Sequence, residues 1–267
     1  MRAVIGKRAL ERTAASSGTV SRFETDILPQ EQNIDALATL NSGLVSKAVS
    51  LSKAKKVILD IDSSESPVHG SQEGSAYNGH FESTCYHPIF CFNNHGDCEG
   101  AVLRPGNVHS ADGWEEFLEP IVKRYREMDK KLYLRGDAAF ASPDIYEYLE
   151  EEGILYAIRL KANANLDWET DHLMRRPVGR PSAKPKTFFY AFSYQAASWK
   201  RPRRVIAKVE WHEGEFLPKV GFIVTNMSSS PEAVVHFYNK RGTGEQNIKE
   251  GKHALKAGVP ESLYGLT

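Results

Sequence analysis

Short apolar runs alternate with amphipathic stretches along most of the chain. Leu37 to Ala54 carries apolar residues near helical spacing, which predicts a helix leading into the core. Val57-Ile58-Leu59-Asp60-Ile61-Asp62 is apolar, partly β-branched, and ends in carboxylates and hydroxyls, so it predicts a buried strand. Residues 65–82 are polar and glycine-bearing and read as a long loop. Strands are expected over Cys85–Asn93 and Gly100–Leu103, joined by the turn sequence Asn94-His95-Gly96-Asp97. After the loop 104–109, Asp112 to Met128 predicts a helix, with Ser110 as a candidate cap.

Lys131 to Asp137 predicts a second strand that ends on an aspartate. Ala138–Pro143 is a tight loop, and Ser142-Pro143 suits the start of a helix running to Gly153. Ile154 to Leu160 predicts a third strand. The order strand, Asp, loop, helix, strand is a βαβ unit, so the fold class is α/β with flanking helices. Ligands of such sheets sit beyond the carboxyl ends of the strands, where Asp137 falls. From residue 165 to 220 the pattern changes to Thr187–Tyr194, Arg204–Trp211 and Lys219–Thr225, which alternate like antiparallel strands. This β-rich stretch reads as an insertion. Ser228–Pro231 then begins a helix carrying Tyr238, and Gly242 and Gly244 predict a kink or a fresh start near Thr243.

Near the amino end, Leu10 to Phe23 has the form of a short helix, a small-residue turn and a second helix opening at Thr19-Val20-Ser21-Arg22. That arrangement suits a helix-turn-helix. The organisation expected is a helical region over 1–54, a catalytic domain over 55–164 and 221–256, the insertion at 165–220 and an irregular tail at 257–267.

Composition narrows the class. A hydrophobic content of 41% supports a real core. No run approaches the ~18 apolar residues of a membrane span, and the basic start lacks the apolar stretch of a secretory signal. A cytoplasmic protein is expected. Three cysteines make no disulfide framework. Net charge is zero, yet residues 175–208 hold ten Lys or Arg and no Asp or Glu. Charge sorted in this way suits a protein that meets a polyanion on one side. Arg175, Arg176, Arg180, Lys200, Arg201, Arg203 and Arg204 are the candidate anion contacts.

The chemistry concentrates in Tyr238, Arg241, Glu245 and Lys252. Their steps of three, four and seven would bring them within roughly 60° of one another on a helix. That face holds one carboxylate between two cations and a phenol, where a core stripe would be apolar. Three carboxylates therefore stand at element ends: Asp62 (or Asp60, two residues away and on the same strand face), Asp137 and Glu245. Carboxylates are the hard oxygen ligands that Mg²⁺ or Mn²⁺ prefers. Two such ions about 4 Å apart can activate an attacking oxygen on phosphorus and stabilise a leaving one. Arg241, Lys252 and Tyr238 would donate to phosphate oxygens. Zinc is a second possibility, through Cys85, His87, Cys91, His95 and Cys98, although their spacing lacks a knuckle.

Over roughly residues 55–255 the sequence resembles insertion-sequence transposases of the DDE type. Tyr238, Arg241, Glu245 and Lys252 match the Y-x2-R-x3-E-x6-K signature of one bacterial branch without a gap. Leu134 to Phe140 resembles the region of the second Asp, and the strand with Asp60 and Asp62 that of the first. Asp62-Ser63-Ser64 fits the first better than Asp60-Ile61-Asp62. The resemblance implies a ribonuclease-H-like mixed sheet interrupted by the β-rich insertion. It also implies two Mg²⁺ (or Mn²⁺) ions on Asp62 or Asp60, Asp137 and Glu245, with cleavage at transposon ends and attack of the freed 3′-OH on target DNA. The partners it implies are double-stranded DNA, as terminal inverted repeats and target, and a second copy in a homodimer at the bacterial nucleoid. Relatives of this kind are usually longer, so a truncated, inactive DNA-binding remnant is the rival expectation.

Overall fold

The apolar runs become strands. The computed structural model describes residues 15–68, 72–175 and 184–242, with 246, 248 and 250. The chain divides into two units, Met1–Ser52 and Lys53–Thr267. In the first, α1 (Ser17–Arg22) runs into a π-helical turn (Phe23–Ile27) and then α2 (Glu31–Leu51). The Ser16 hydroxyl caps α1 by accepting from the Thr19 N–H at 3.2 Å. The helix expected around Leu10 lies outside the described residues. α2 is the helix expected to enter the core; Val45 and Val49 are buried, but Leu37, Leu40 and Leu44 are exposed.

The second unit is built on one eight-stranded sheet. Its first strand, β1 (Lys56–Ser63), is followed by two very short strands, β2 (Ser66–Pro67) and β3 (Ala76–Asn78). Then come β4 (Ser83–Tyr86), β5 (Ile89–Asn93) and β6 (Cys98–Val102). Helix α3 (Trp114–Glu127) leads to β7 (Lys131–Gly136), and α4 (Pro143–Glu151) to β8 (Leu155–Leu160). A short α5 (Ala164–Thr170) precedes β9 (Lys186–Tyr194), β10 (Arg203–Trp211) and β11 (Lys219–Thr225), and α6 (Pro231–Asn239) follows. The order in the sheet is β6-β5-β1-β7-β8-β11-β10-β9. β1, β7 and β8 run parallel, while the other neighbours pair antiparallel.

One feature differs from the expectation. The single strand predicted over Cys85–Asn93 is two strands in two sheets, since β4 pairs with β2 and β3 and β5 pairs with β1. The break falls at His87-Pro88, where proline offers no N–H to a ladder and restricts the residue before it. β11 pairs with β8, from Phe222 opposite Leu160 to Thr225 opposite Ala157, and β10 and β9 follow it, so the β-rich stretch widens the main sheet.

Neighbouring residues of β8 show how the layers stack, because adjacent side chains on a strand point to opposite faces. Tyr156 stacks on Tyr146 of α4 at 5.6 Å. Ala157 joins Ile206, Ile223, Val234 and Val235 in the cluster under α6. α4 and α6 therefore cover opposite faces. α3 lies on the side of α4, with Trp114 edge-on to Tyr148. Buried Glu99 anchors α3 by accepting from Asn93 at 2.7 Å and from Arg124 and Tyr125.

Glu150 of α4 holds the start of β10. Arg203 donates to it from Nε at 2.9 Å and Nη2 at 3.0 Å, Tyr156 donates at 2.9 Å, and Arg201 adds a further contact. The Arg203 guanidinium also lies over Tyr146 and Trp199. Burial works to raise the Glu150 pKa, but the hydrogen bonds from Arg203, Arg201 and Tyr156 outweigh it and hold the carboxyl below its ordinary value. A depressed carboxylate stabilises the fold above its unfolded pKa, and that contribution is lost as pH falls through the folded one. Glu150→Gln is expected to destabilise the protein by about 3 kcal/mol at neutral pH, because it leaves a buried guanidinium facing a neutral amide. In urea titrations the gap between wild type and variant should shrink as pH falls below about 4.3, the usual glutamate value.

Candidate active site

Two aspartates end neighbouring parallel strands. The β1–β7 register runs from Lys56 opposite Lys131 to Ile61 opposite Gly136. The next residue on each side is an aspartate, Asp62 and Asp137, and neighbouring strands lie about 4.8 Å apart. Asp137 begins a 3₁₀ turn, Ala138–Phe140, and its Oδ1 accepts from the Ala139 N–H at 2.9 Å. Gly136 leaves room for that turn: a Cβ there would lie 3.3 Å from the Phe140 Cβ and 3.4 Å from Cγ2 of Ile61. Phe140 is fully buried across these strand ends.

Asp60 and Asp62 share a strand face, and each meets a different arginine. Arg135 donates from Nε and Nη2 to the two oxygens of Asp60, both at 2.6 Å, and from Nη1 to the Phe237 carbonyl at 2.9 Å. Both partners of that pair are about 3% exposed. Burial pushes the Asp60 carboxyl above its usual pKa, and the hydrogen bonds from Arg135 pull against it. Asp62 is less deeply buried. Its Oδ1 lies 2.9 Å from Nη2 of Arg241 and accepts from the Ser63 N–H at 2.9 Å. The cations that two acids on a buried strand require are thus Arg135 and Arg241.

Of the expected face of Tyr238, Arg241, Glu245 and Lys252, the described residues show Tyr238 on a helix that stops short of Arg241. α6 ends at Asn239, and a turn at Lys240–Arg241 follows, with the Arg241 N–H on the Tyr238 carbonyl at 2.9 Å. The interruption predicted from Gly242 and Gly244 falls two residues before the first of them. Tyr238 packs against the α6 cluster, and Arg241 is buried. Glu245, Lys252, Arg176 and Arg180 lie outside the described residues. Arg175 is exposed.

The cations at 200–204 face protein groups. Lys200 pairs with Glu147 at 2.6 Å, Arg201 and Arg203 pair with Glu150, and Arg204 donates to the Met227 and Ser229 carbonyls. Cys85, Cys91 and Cys98 sit on β4, β5 and β6. Among the described residues no three His, Cys, Asp or Glu side chains converge as a metal group would.

A cavity of about 620 Å³ opens beside Asp137, within the usual size of a ligand pocket. Its walls include His80, His87, His109, Arg159 and Lys161. Sequence reading passed over Arg159 and Lys161. Their spacing of two at the carboxyl end of β8 was the available signal, since it repeats the Asp60–Asp62 pattern with the opposite charge.

Over residues 1–259 the chain matches the family model described as transposase DDE domain group 1, and it belongs to that family. Its members are transposases, enzymes that act on DNA. No curated protein matches the chain in sequence. Among solved structures, the Argonaute of Marinitoga piezophila, in complex with a 5′-OH guide RNA and target DNA, is 13% identical with a TM-score of 0.30. That match covers 68% of this chain, which spans only 25% of the Argonaute chain, and the likeness is too distant to bear on function. Among the described residues, no helix is long and apolar enough to cross a membrane.

The two neighbouring acids should separate by experiment. Asp60→Asn is expected to lower the unfolding free energy by about 3 kcal/mol, because it strands a buried arginine. Arg135→Met should cost about as much. The double variant should recover part of the loss, as a coupled pair does in urea-denaturation cycles.

Proposed function

We propose that the chain is a DNA transposase that uses Asp62, Asp137 and Glu245 to hold two Mg²⁺ or Mn²⁺ ions. In this reading it cleaves transposon ends and joins the freed 3′-OH to target DNA. The observation that carries the reading is the register: Ile61 pairs with Gly136, so an aspartate follows at each of two adjacent parallel strand ends. Asp62 and Asp137 are hard oxygen donors of the kind these ions take. Asp62 is preferred over Asp60, whose two oxygens are both engaged by Arg135. The run β6-β5-β1-β7-β8, an antiparallel trio followed by two parallel strands, supports a ribonuclease-H-like core. The resemblance of 238–252 to the Y-R-E-K branch supplies Glu245 as the third acid.

Each side chain then has a task. Asp137, fixed by the Ala139 N–H, presents its carboxylate at the mouth of the cavity. Arg241 orients Asp62 and places positive charge beside it, where phosphate oxygens would gather. Tyr238 and Lys252 extend that donor set along the DNA strand. Arg175, Arg176 and Arg180 remain the candidates for backbone tracking, and Lys200 and Arg201 contribute charge at the surface beside their glutamates. Bound ions would polarise the scissile phosphate and lower the pKa of an attacking water. The family resemblance extends to a homodimer working on paired ends.

The test is nicking of a supercoiled plasmid carrying the element's ends, in Mn²⁺. Asp137→Asn and Glu245→Ala should each slow nicking about a thousandfold, equivalent to roughly 4 kcal/mol of transition-state stabilisation. Nicking by either variant at the wild-type rate would remove that residue from the mechanism.

A further inference from the structure

The cavity beside Asp137 is also lined by a histidine whose backbone and ring are both held by hydrogen bonds. His109 lies on the loop between β6 and α3, exposed at its tip. Buried Arg104 ties that loop together. It donates to the His87 carbonyl at 2.9 Å, the Ser110 carbonyl at 3.1 Å and the His109 carbonyl at 3.4 Å. Gly106 seats the loop against β3 and β4 so closely that a Cβ would fall 2.4 Å from the carbonyl oxygens of Ala76 and Cys85. The His109 N–H donates to Oδ2 of Asp112 at 2.8 Å. In the ring, Nδ1 accepts from the Ala111 N–H at 3.3 Å. Nδ1 is the acceptor in that contact, which leaves Nε2 as the ring nitrogen free to donate.

An exposed side chain on a surface loop does not ordinarily have its backbone, carbonyl and ring nitrogen all engaged. The result is an N–H donor among the residues that line the cavity, with Asp137, Arg159 and Lys161. Resting on the nucleic-acid function proposed above, we propose that His109 is a phosphate-binding residue. Its Nε2–H donates to a backbone phosphate oxygen of the DNA strand that enters the cavity beside Asp137. In this proposal the ring is neutral and positions the strand without adding charge, while Arg159 and Lys161 of the same cavity supply the charge.

Neutrality makes the proposal testable apart from catalysis. Binding of a fluorescein-labelled nicked duplex of random sequence is followed by anisotropy over a range of salt concentrations. A hydrogen bond to a charged group is worth about 1.5 kcal/mol, so His109→Ala should weaken binding about tenfold. The slope of log affinity against log salt should stay at the wild-type value, because no cation is lost. Loss of a lysine contact would instead lower that slope by about 0.9. His109→Gln keeps a side-chain N–H and should recover most of the affinity. Wild-type affinity in His109→Ala, or a slope lowered by about 0.9, would overturn the proposal. Its failure would leave the transposase reading standing as long as Asp137→Asn abolishes nicking. Nicking that survives Asp137→Asn would count against the transposase reading itself.

Discussion

The contact on which the site depends is the buried pair between Asp60 and Arg135. It joins three elements at once: β1 through the carboxylate, β7 through the arginine backbone, and α6 through the Phe237 carbonyl. A buried ion pair gains little net stability, because removing two charges from water roughly offsets their attraction. Its effect is selective. Asp60 and Arg135 are register partners, so the pair is satisfied in only one alignment of β1 on β7. A slip by one residue would turn Arg135 to the other face of the sheet. In the alignment it selects, Asp62 and Asp137 are the next residues on neighbouring strands. The hydrogen bond to Phe237 holds the end of α6, from which the chain turns to bring Arg241 onto Asp62.

Positive charge is divided between two tasks. One group of cations acts inside the fold: Arg104 organises a loop, Arg124 meets Glu99, Arg135 meets Asp60, and Arg203 meets Glu150. The other group lies where a polyanion could reach it. Arg159 and Lys161 line the cavity beside Asp137, and Arg175 is exposed. A zero net charge is compatible with a family that acts on DNA, since positive charge can gather locally, as Arg159 and Lys161 do at the cavity.

Much of this was legible in the sequence because it rests on local pattern. The apolar runs at 57–61, 131–136 and 154–160 fix the parallel strands, and an aspartate at the end of a buried run is visible without coordinates. Pro88 marked the break between β4 and β5, although the apolar residues on either side read as one strand. What depends on partners far along the chain was not legible. Nothing near Asp60 names Arg135, and nothing near Arg203 names Glu150, so a charge count places all the basic residues of 200–204 on one anion-facing surface. Helical spacing likewise put Tyr238 and Arg241 on one face, whereas a turn at Lys240–Arg241 separates them. The fixed ring of His109 follows from the Ala111 N–H, a loop contact that no spacing rule predicts.

The proposal that rests most directly on the β1–β7 register is that Asp62 and Asp137 are ligands of one divalent-metal site. Mn²⁺ uptake, read from the loss of the free-ion paramagnetic resonance signal, tests it without requiring turnover. The account predicts saturable binding by the wild-type protein and a large loss of affinity in both Asp62→Asn and Asp137→Asn, with Asp60→Asn binding normally wherever it remains folded. Unchanged uptake in both of the first two variants would contradict it.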